Sequence, residues 1–164
     1  MRILVVSDTH GRRREIEVVI KKTKPFDYLI HAGDAEGLED EIASHAGCPS
    51  MFVKGNNDYY TECPYDAVVE AGGKRIFVTH GHRYGLSWDV AALKEAALLR
   101  ECSIAVFGHT HVPMIDLSDD RVALINPGSL AYPRQEGRKP TYIMIDIDRF
   151  GEAHFTLNNL KRFC

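Results

Sequence analysis

Short apolar runs recur along the chain, and most are cut off by a small or polar turn that carries Asp, Asn or His. Ile3–Val6 is continuous, apolar and mostly β-branched, and it stops at Ser7-Asp8-Thr9-His10-Gly11. Such a run predicts a strand buried on both faces. Arg12–Lys24 places Ile16, Val19 and Ile20 at i, i+3 and i+4 among charges, which predicts an amphipathic helix on a sheet face, stopped by Pro25. Tyr28–Ala32 is the next strand and ends at Gly33-Asp34. Glu36–His45, with Leu38 and Ile42 on one side, predicts a second helix. Met51–Lys54 is a third strand, ending at Gly55-Asn56-Asn57-Asp58. This β-α-β-α-β order predicts a largely parallel sheet with helices against it.

The pattern then turns antiparallel. Ala67–Glu70 and Arg75–Thr79 flank Ala71-Gly72-Gly73 as a hairpin whose second arm ends at His80-Gly81-His82. Trp88–Arg100, rich in Ala and Leu, predicts a third helix. Ile104–Phe107 is a buried strand ending at Gly108-His109-Thr110-His111. Val112–Leu117 and Val122–Ile125 form a second hairpin that ends at Asn126-Pro127-Gly128-Ser129. Thr141–Ile147 and Ala153–Leu157 form a third, around Asp148-Arg149-Phe150-Gly151. So many strands in so short a chain suit two sheets packed face to face with helices outside.

Composition narrows the field. A chain of 164 residues is expected to be one domain, 1–164, with a sizeable core. A net charge of −3 leaves no basic footprint for nucleic acid and no polybasic membrane anchor. Cys48, Cys63, Cys102 and Cys164 form no C-x-x-C pair, which argues against a disulfide framework and a thiolate zinc site. The N-terminal apolar run is too short for a signal peptide, and no segment reaches the length of a membrane span. A cytoplasmic protein with reduced thiols is expected.

The strand ends carry the chemistry. Alternate side chains of extended chain point to the same side, so His109 and His111 can face one point. Asp8, His10, Asp34, Asn56 and His80 stand at the ends of other strands, where sites form in open α/β sheets. Buried unpaired carboxylates and imidazoles cost several kcal/mol, a cost that a metal centre removes. Seven such ligands exceed what one ion needs. Two ions sharing one carboxylate would each receive four, and Asp34, the only ligand its strand end supplies, is the natural bridge. The mixed N/O set favours Mn, Fe, Co, Ni or Zn over Mg or Ca, with Mn²⁺ foremost. Two dications against two aspartates leave positive charge, which suits a phosphate ester.

Asp8-x-His10, Gly33-Asp34, Gly55-Asn56-x-Asp58, His80-Gly81-His82 and Gly108-His109-x-His111 resemble the motif series of the calcineurin-like metallophosphoesterases. The small size, His80-Gly81-His82 and Asn126-Pro127-Gly128-Ser129 resemble their compact bacterial and archaeal phosphodiesterase branch. The resemblance implies a four-layer α/β/β/α sandwich. It also implies that Asp8, His10, Asp34 and His111 hold one ion, and Asp34, Asn56, His80 and His109 the other. The expected activity is that of a binuclear phosphodiesterase, with in-line attack by a metal-bridging hydroxide on a small phosphate ester. A phosphomonoesterase or nucleotidase on the same site, a binding scaffold similar to the retromer subunit of this fold, and a metal sensor without turnover are the alternatives. Many members carry histidine where this chain has Asn57, which cannot act as a general acid.

Four residues are nominated for roles beside the metals. His82 is expected to contact substrate phosphate or donate a proton, and Asp58 to orient a ligand histidine, with an Asx-turn as its alternative. Arg83 and Arg134 are candidates for binding substrate phosphate. Ser129 is expected to close its Pro-Gly turn, His31 to be a satisfied core histidine, and His45 and His154 to be exposed. The Ala/Leu stripe from Ala91 to Leu99 reads as core, or as an interface between copies of the chain.

Overall fold

Alternation within one strand sets the order of the layers. In β1 (Arg2–Val6), Ile3 and Val5 join a buried cluster with Val69, Ile76, Val78, Val106 and Ile125 of another sheet. Leu4 and Val6 point the other way and pack with Ile16, Val19, Ile20 and Ile42 of two helices. The computed structural model describes residues 1–86 and 89–160. Among them, one five-stranded sheet runs β10 (Ala153–Asn159), β9 (Thr141–Ile147), β1, β2 (Tyr28–His31), β3 (Ser50–Phe52). The other runs β4 (Asp66–Ala71), β5 (Lys74–Thr79), β6 (Ile104–Val106), β8 (Ala123–Asn126), β7 (Met114–Asp116). Helices α1 (Arg13–Thr23) and α2 (Glu39–Ala46) cover the first sheet. Helix α3 (Ala91–Leu99) covers the second, with Leu93, Ala96 and Ala97 against Phe77, Phe107 and Leu124. The result is the expected α/β/β/α sandwich of two mixed sheets.

Strand direction gathers the polar ends. β1, β2 and β3 are parallel neighbours, and so are β5, β6 and β8. Their carboxyl ends therefore lie at one edge of each sheet. The amide of Gly108 donates to the carbonyl of His80, tying the β6 and β5 ends together. The amide of Asp8 donates to the carbonyl of Gly33, which does the same for β1 and β2.

Boundaries moved where local chemistry intervened. The second helix begins at Glu39, because Glu36 and Gly37 take left-handed backbone at φ 54° and 84°. The third strand stops at Phe52. Trp88, expected to open the third helix, and Cys164 lie outside the described residues. The last hairpin returns to the first sheet, where β9 pairs antiparallel with β1, Ile143 opposite Val5. Among the described residues no helix is long and apolar enough to cross a membrane.

Candidate metal centre

Asp8, His10, Asp34, Asn56, His80, His109 and His111 converge at the shared edge of the two sheets. Asp8 and His80 are wholly buried, and Asp34 and His111 nearly so. His111 Nε2 lies 3.0 Å from Asp8 Oδ1 and 3.3 Å from His10 Nε2. Asp34 Oδ2 lies 3.4 Å from His80 Nε2 and 3.8 Å from His10 Nε2. Asn56 Oδ1 stands between His80 Nε2 at 3.1 Å and His109 Nδ1 at 3.0 Å. Two ligand-grade groups of acids and histidines result, Asp8–His10–His111 and Asp8–Asp34–His80.

The backbone at these positions is unusual. Asp8, His10, Asp34, His109 and His111 all have positive φ, between 43° and 66°. Left-handed backbone costs a residue with a Cβ on the order of 1–3 kcal/mol, and it turns each side chain inward just beyond its strand. Glycines make the approach possible. A Cβ on Gly55 would fall 2.0 Å from Asp34 Oδ1, and one on Gly108 would fall 2.0 Å from Ser7 Oγ and 2.8 Å from Asp8 Oδ2. The Gly-Asn and Gly-His pairs of the sequence are thus steric requirements.

The protonation pattern tests whether a cation fits. His10 Nδ1 donates to Glu36 Oε1 (2.7 Å), His80 Nδ1 to the Ala32 carbonyl (2.7 Å) and His111 Nδ1 to the Tyr132 carbonyl (2.8 Å). In the neutral ring each Nε2 then carries a lone pair, and all three point inward. Lone pairs of His10 and His111 face each other, His80 faces the acceptor oxygen of Asn56, and buried Asp8 Oδ1 has no hydrogen-bond partner. Acceptors converging on acceptors are stable only around positive charge, so these residues fit a divalent cation. The titration tendencies agree. Burial alone lowers the His80 pKa, but Asp34 and Asp8 outweigh it and raise it, because without a cation these carboxylates draw a proton to the place where positive charge is wanted. Burial would raise Asp34; His80 and the two donors of Asn57 instead hold it well below the carboxylate range.

The other nominated residues are placed as follows. His82 stands at the rim, its ring centroid 5.4 Å from that of His80 and 6.2 Å from that of His109, and its Nδ1 has no partner. Burial first, then the charges of His80 and His109, lower its pKa. Asp58 corrects its expectation: its carboxylate accepts from backbone amides, those of Asp34, Glu36 and Gly55, at 2.7 to 2.8 Å. It clamps the two loops rather than a histidine ring. Arg83 is exposed and lies 4.7 Å over the Tyr65 ring, and Arg134 is exposed beside Tyr132 in a surface cavity. Ser129 does more than close its turn, donating from Oγ to the carbonyl of Asp8 across 2.9 Å. His31 is half satisfied: Nε2 meets Thr9 Oγ1 at 3.0 Å, while Nδ1 is unpartnered. His45 and His154 are exposed as expected.

Three supporting residues were given no supporting role by the sequence reading. Ser7 Oγ donates to Asp8 Oδ2 at 2.6 Å, Glu36 holds the His10 ring, and Asn126 Nδ2 donates to Gly108 O and Thr110 Oγ1. Ser7, adjacent to Asp8, and Asn126, which opens Asn126-Pro127-Gly128-Ser129, left a trace in the linear pattern but no sign of these contacts.

Comparison with known proteins bears on the same residues. The profile of the calcineurin-like phosphoesterase superfamily domain matches residues 1–149. YsnB of Bacillus subtilis, a probable metallophosphoesterase, is 30% identical over 149 residues, covering 90% of this chain and 85% of its own. The phosphodiesterase YfcE of Escherichia coli is 32% identical over 173 residues, 90% of this chain and 89% of that protein. Among solved structures, a predicted phosphoesterase of Streptococcus pneumoniae superposes with a TM-score of 0.80 at 29% identity over 97% of each chain. A single mutant of Vps29 from Entamoeba histolytica superposes at 0.78 with 20% identity, over 98% of this chain and 100% of that one, a likeness of fold alone.

Proposed function

The chain belongs to the calcineurin-like phosphoesterase superfamily, and from that premise we propose a two-metal phosphodiesterase that hydrolyses a P–O bond of a small phosphate diester. The observation that carries the reading is the set of inward acceptors around Asp8 Oδ1. The name of YfcE supports a diester over a monoester.

In this reading Asp8, His10, Asp34 and His111 hold one ion, and Asp34, Asn56, His80 and His109 hold the other, with Mn²⁺ foremost. When bound, such ions neutralise phosphoryl charge and bring the pKa of a water near 7. The chain's own residues do the rest. Glu36 and the carbonyls of Ala32 and Tyr132 take the outer ring protons, so the inner nitrogens of His10, His80 and His111 stay free to ligate. Burial lowers the His82 pKa, and its ring lies beside both His80 and His109. It therefore serves as a hydrogen-bond partner of the substrate phosphate. Asn57 is committed to Asp34 through its side-chain amide at 2.7 Å and brings no acidic proton to the leaving group.

The test is hydrolysis of bis(p-nitrophenyl) phosphate and p-nitrophenyl phosphate with and without added Mn²⁺. We expect metal-dependent turnover favouring the diester, lost together with bound metal in Asp34→Ala. A fully active Asp34→Ala protein, or turnover indifferent to metal, overturns the proposal, and preference for the monoester replaces it with the monoesterase reading.

A further inference from the structure

Beside the centre lies a cavity of about 700 Å³ lined by Arg12, Arg14, Arg134 and Arg138, with Glu15 the one acid among the described residues of its wall. The arginines come from two distant segments, the start of α1 and the loop after Ser129, which only the fold brings together. Tyr132 joins the cavity to the centre. Its ring lies 5.1 Å from that of His10, and the Arg12 guanidinium lies 4.7 Å over it. Arg12 thus stands one aromatic ring beyond a nominated ligand. Its ion pair with Glu15 is long, at 3.8 Å, and its side chain is 46% exposed, whereas neighbouring Arg13 is engaged by Glu41 at 2.9 Å. The backbone amide of Arg134 donates to the carbonyl of His111, so that loop is anchored to the centre as well.

We propose that this cavity is a second phosphate subsite, holding a phosphoryl group that the substrate carries one sugar-sized spacer away from the phosphate that is cleaved. Guanidinium groups bind phosphate oxygens in bidentate fashion, and the positive end of α1 adds to the attraction. Leu130, Pro133 and Leu160 supply an apolar wall for the spacer. A second cavity that reaches the centre through Glu36, which meets His10, repels such a group, because Glu36, Glu39, Asp40 and Glu62 line it. The inference rests on the phosphodiesterase reading for its reaction, and it names the substrate class: diesters bearing a second phosphate.

The test uses a matched pair, thymidine 3′-(p-nitrophenyl phosphate) and the same ester carrying a 5′-phosphate, with Mn²⁺ supplied. The 5′-phosphate should lower KM about tenfold with little change in kcat, the size of one charge-assisted contact. In Arg12→Gln/Arg134→Gln that difference should shrink to about twofold or less, the residue of long-range attraction. Arg149→Gln, which removes the same kind of charge from the exposed β9–β10 turn, should keep it. Equal KM values in the unmodified protein, or a difference that survives in the double variant or is lost equally in Arg149→Gln, overturns the subsite. If neither ester is cleaved, the phosphodiesterase reading fails, and calorimetric titration of the same two compounds decides the subsite. Tighter binding of the 5′-phosphate form that depends on Arg12 and Arg134 supports it, and equal affinities overturn it.

Discussion

Asp58 accepts a hydrogen bond from the backbone amide of Asp34 at 2.7 Å, so one buried carboxylate positions the residue that carries another. The same oxygen takes the amide of Gly55 at 2.8 Å, and its twin takes that of Glu36 at 2.7 Å. Asp58→Ala would leave these three amides to water or to nothing. Unfolding in urea should show a loss of about 2–4 kcal/mol, and metal content should fall in parallel. If stability drops while metal content and turnover per bound metal stay unchanged, the clamp has no bearing on the centre.

Gly55→Ala presses a methyl group against Asp34, whose backbone nitrogen would lie 2.5 Å from it and whose Oδ1 2.0 Å. Asp34 must move, and displacement by about 1 Å can cost a hundredfold in rate. Turnover should fall by about that factor while the far-ultraviolet circular dichroism keeps its shape, since the clash lies in a loop and not in a strand. Retention of more than about a tenth of the activity would contradict this geometry.

His31 makes stability depend on acid. Burial holds its pKa down to about 4, against the pull of Asp58 and Asp8, whereas an unfolded histidine titrates near 6.5. Between those values the unfolded chain takes up a proton that the folded chain refuses. Stability therefore falls as pH falls from 6.5 to about 4, by about 3 kcal/mol across the window. His31→Leu should lack that part of the decline when urea midpoints are compared at pH 7 and pH 4.5. Parallel profiles for the two proteins would remove His31 as the cause.

Asn57 predicts a bias in leaving group. Its side-chain amide is spent on Asp34 and carries no acidic proton. General-acid assistance is worth roughly 10²–10⁴ in rate for a poor leaving group. Across a series of aryl diesters, kcat should drop steeply as the leaving-group pKa rises. A flat series would mean that another group supplies the proton.

Much of the architecture was legible because hydrophobic period maps directly onto burial. Ile3–Val6 reads as buried on both faces and is, since its two side-chain rows meet different layers. The residues of the candidate site were legible because polar side chains at strand ends have little stabilising use there, and because glycine precedes Asp34, Asn56 and His109. Asp58 was misread: its place in the Gly-Asn motif marks it as important but says nothing of its partner. Glu36 read only as the start of a helix; the left-handed backbone at Glu36 and Gly37 breaks that helix and frees the carboxylate to meet His10.

By itself, then, the sequence determined the strands, the helices, the polar residues at their ends and the chemical class those residues belong to. Each of these depends on neighbours along the chain, where side-chain period and turn chemistry act. Tertiary structure alone decided that β9 and β10 return to β1, that Asp58 binds backbone and not imidazole, and that the arginines of two segments close on one cavity. These are contacts between residues far apart in sequence, set by strand pairing and by left-handed turns that local patterns do not encode. The His109 and His111 pair shows both levels. Its spacing announced two inward histidines, but only the fold set His111 beside Asp8 and His109 beside Asn56.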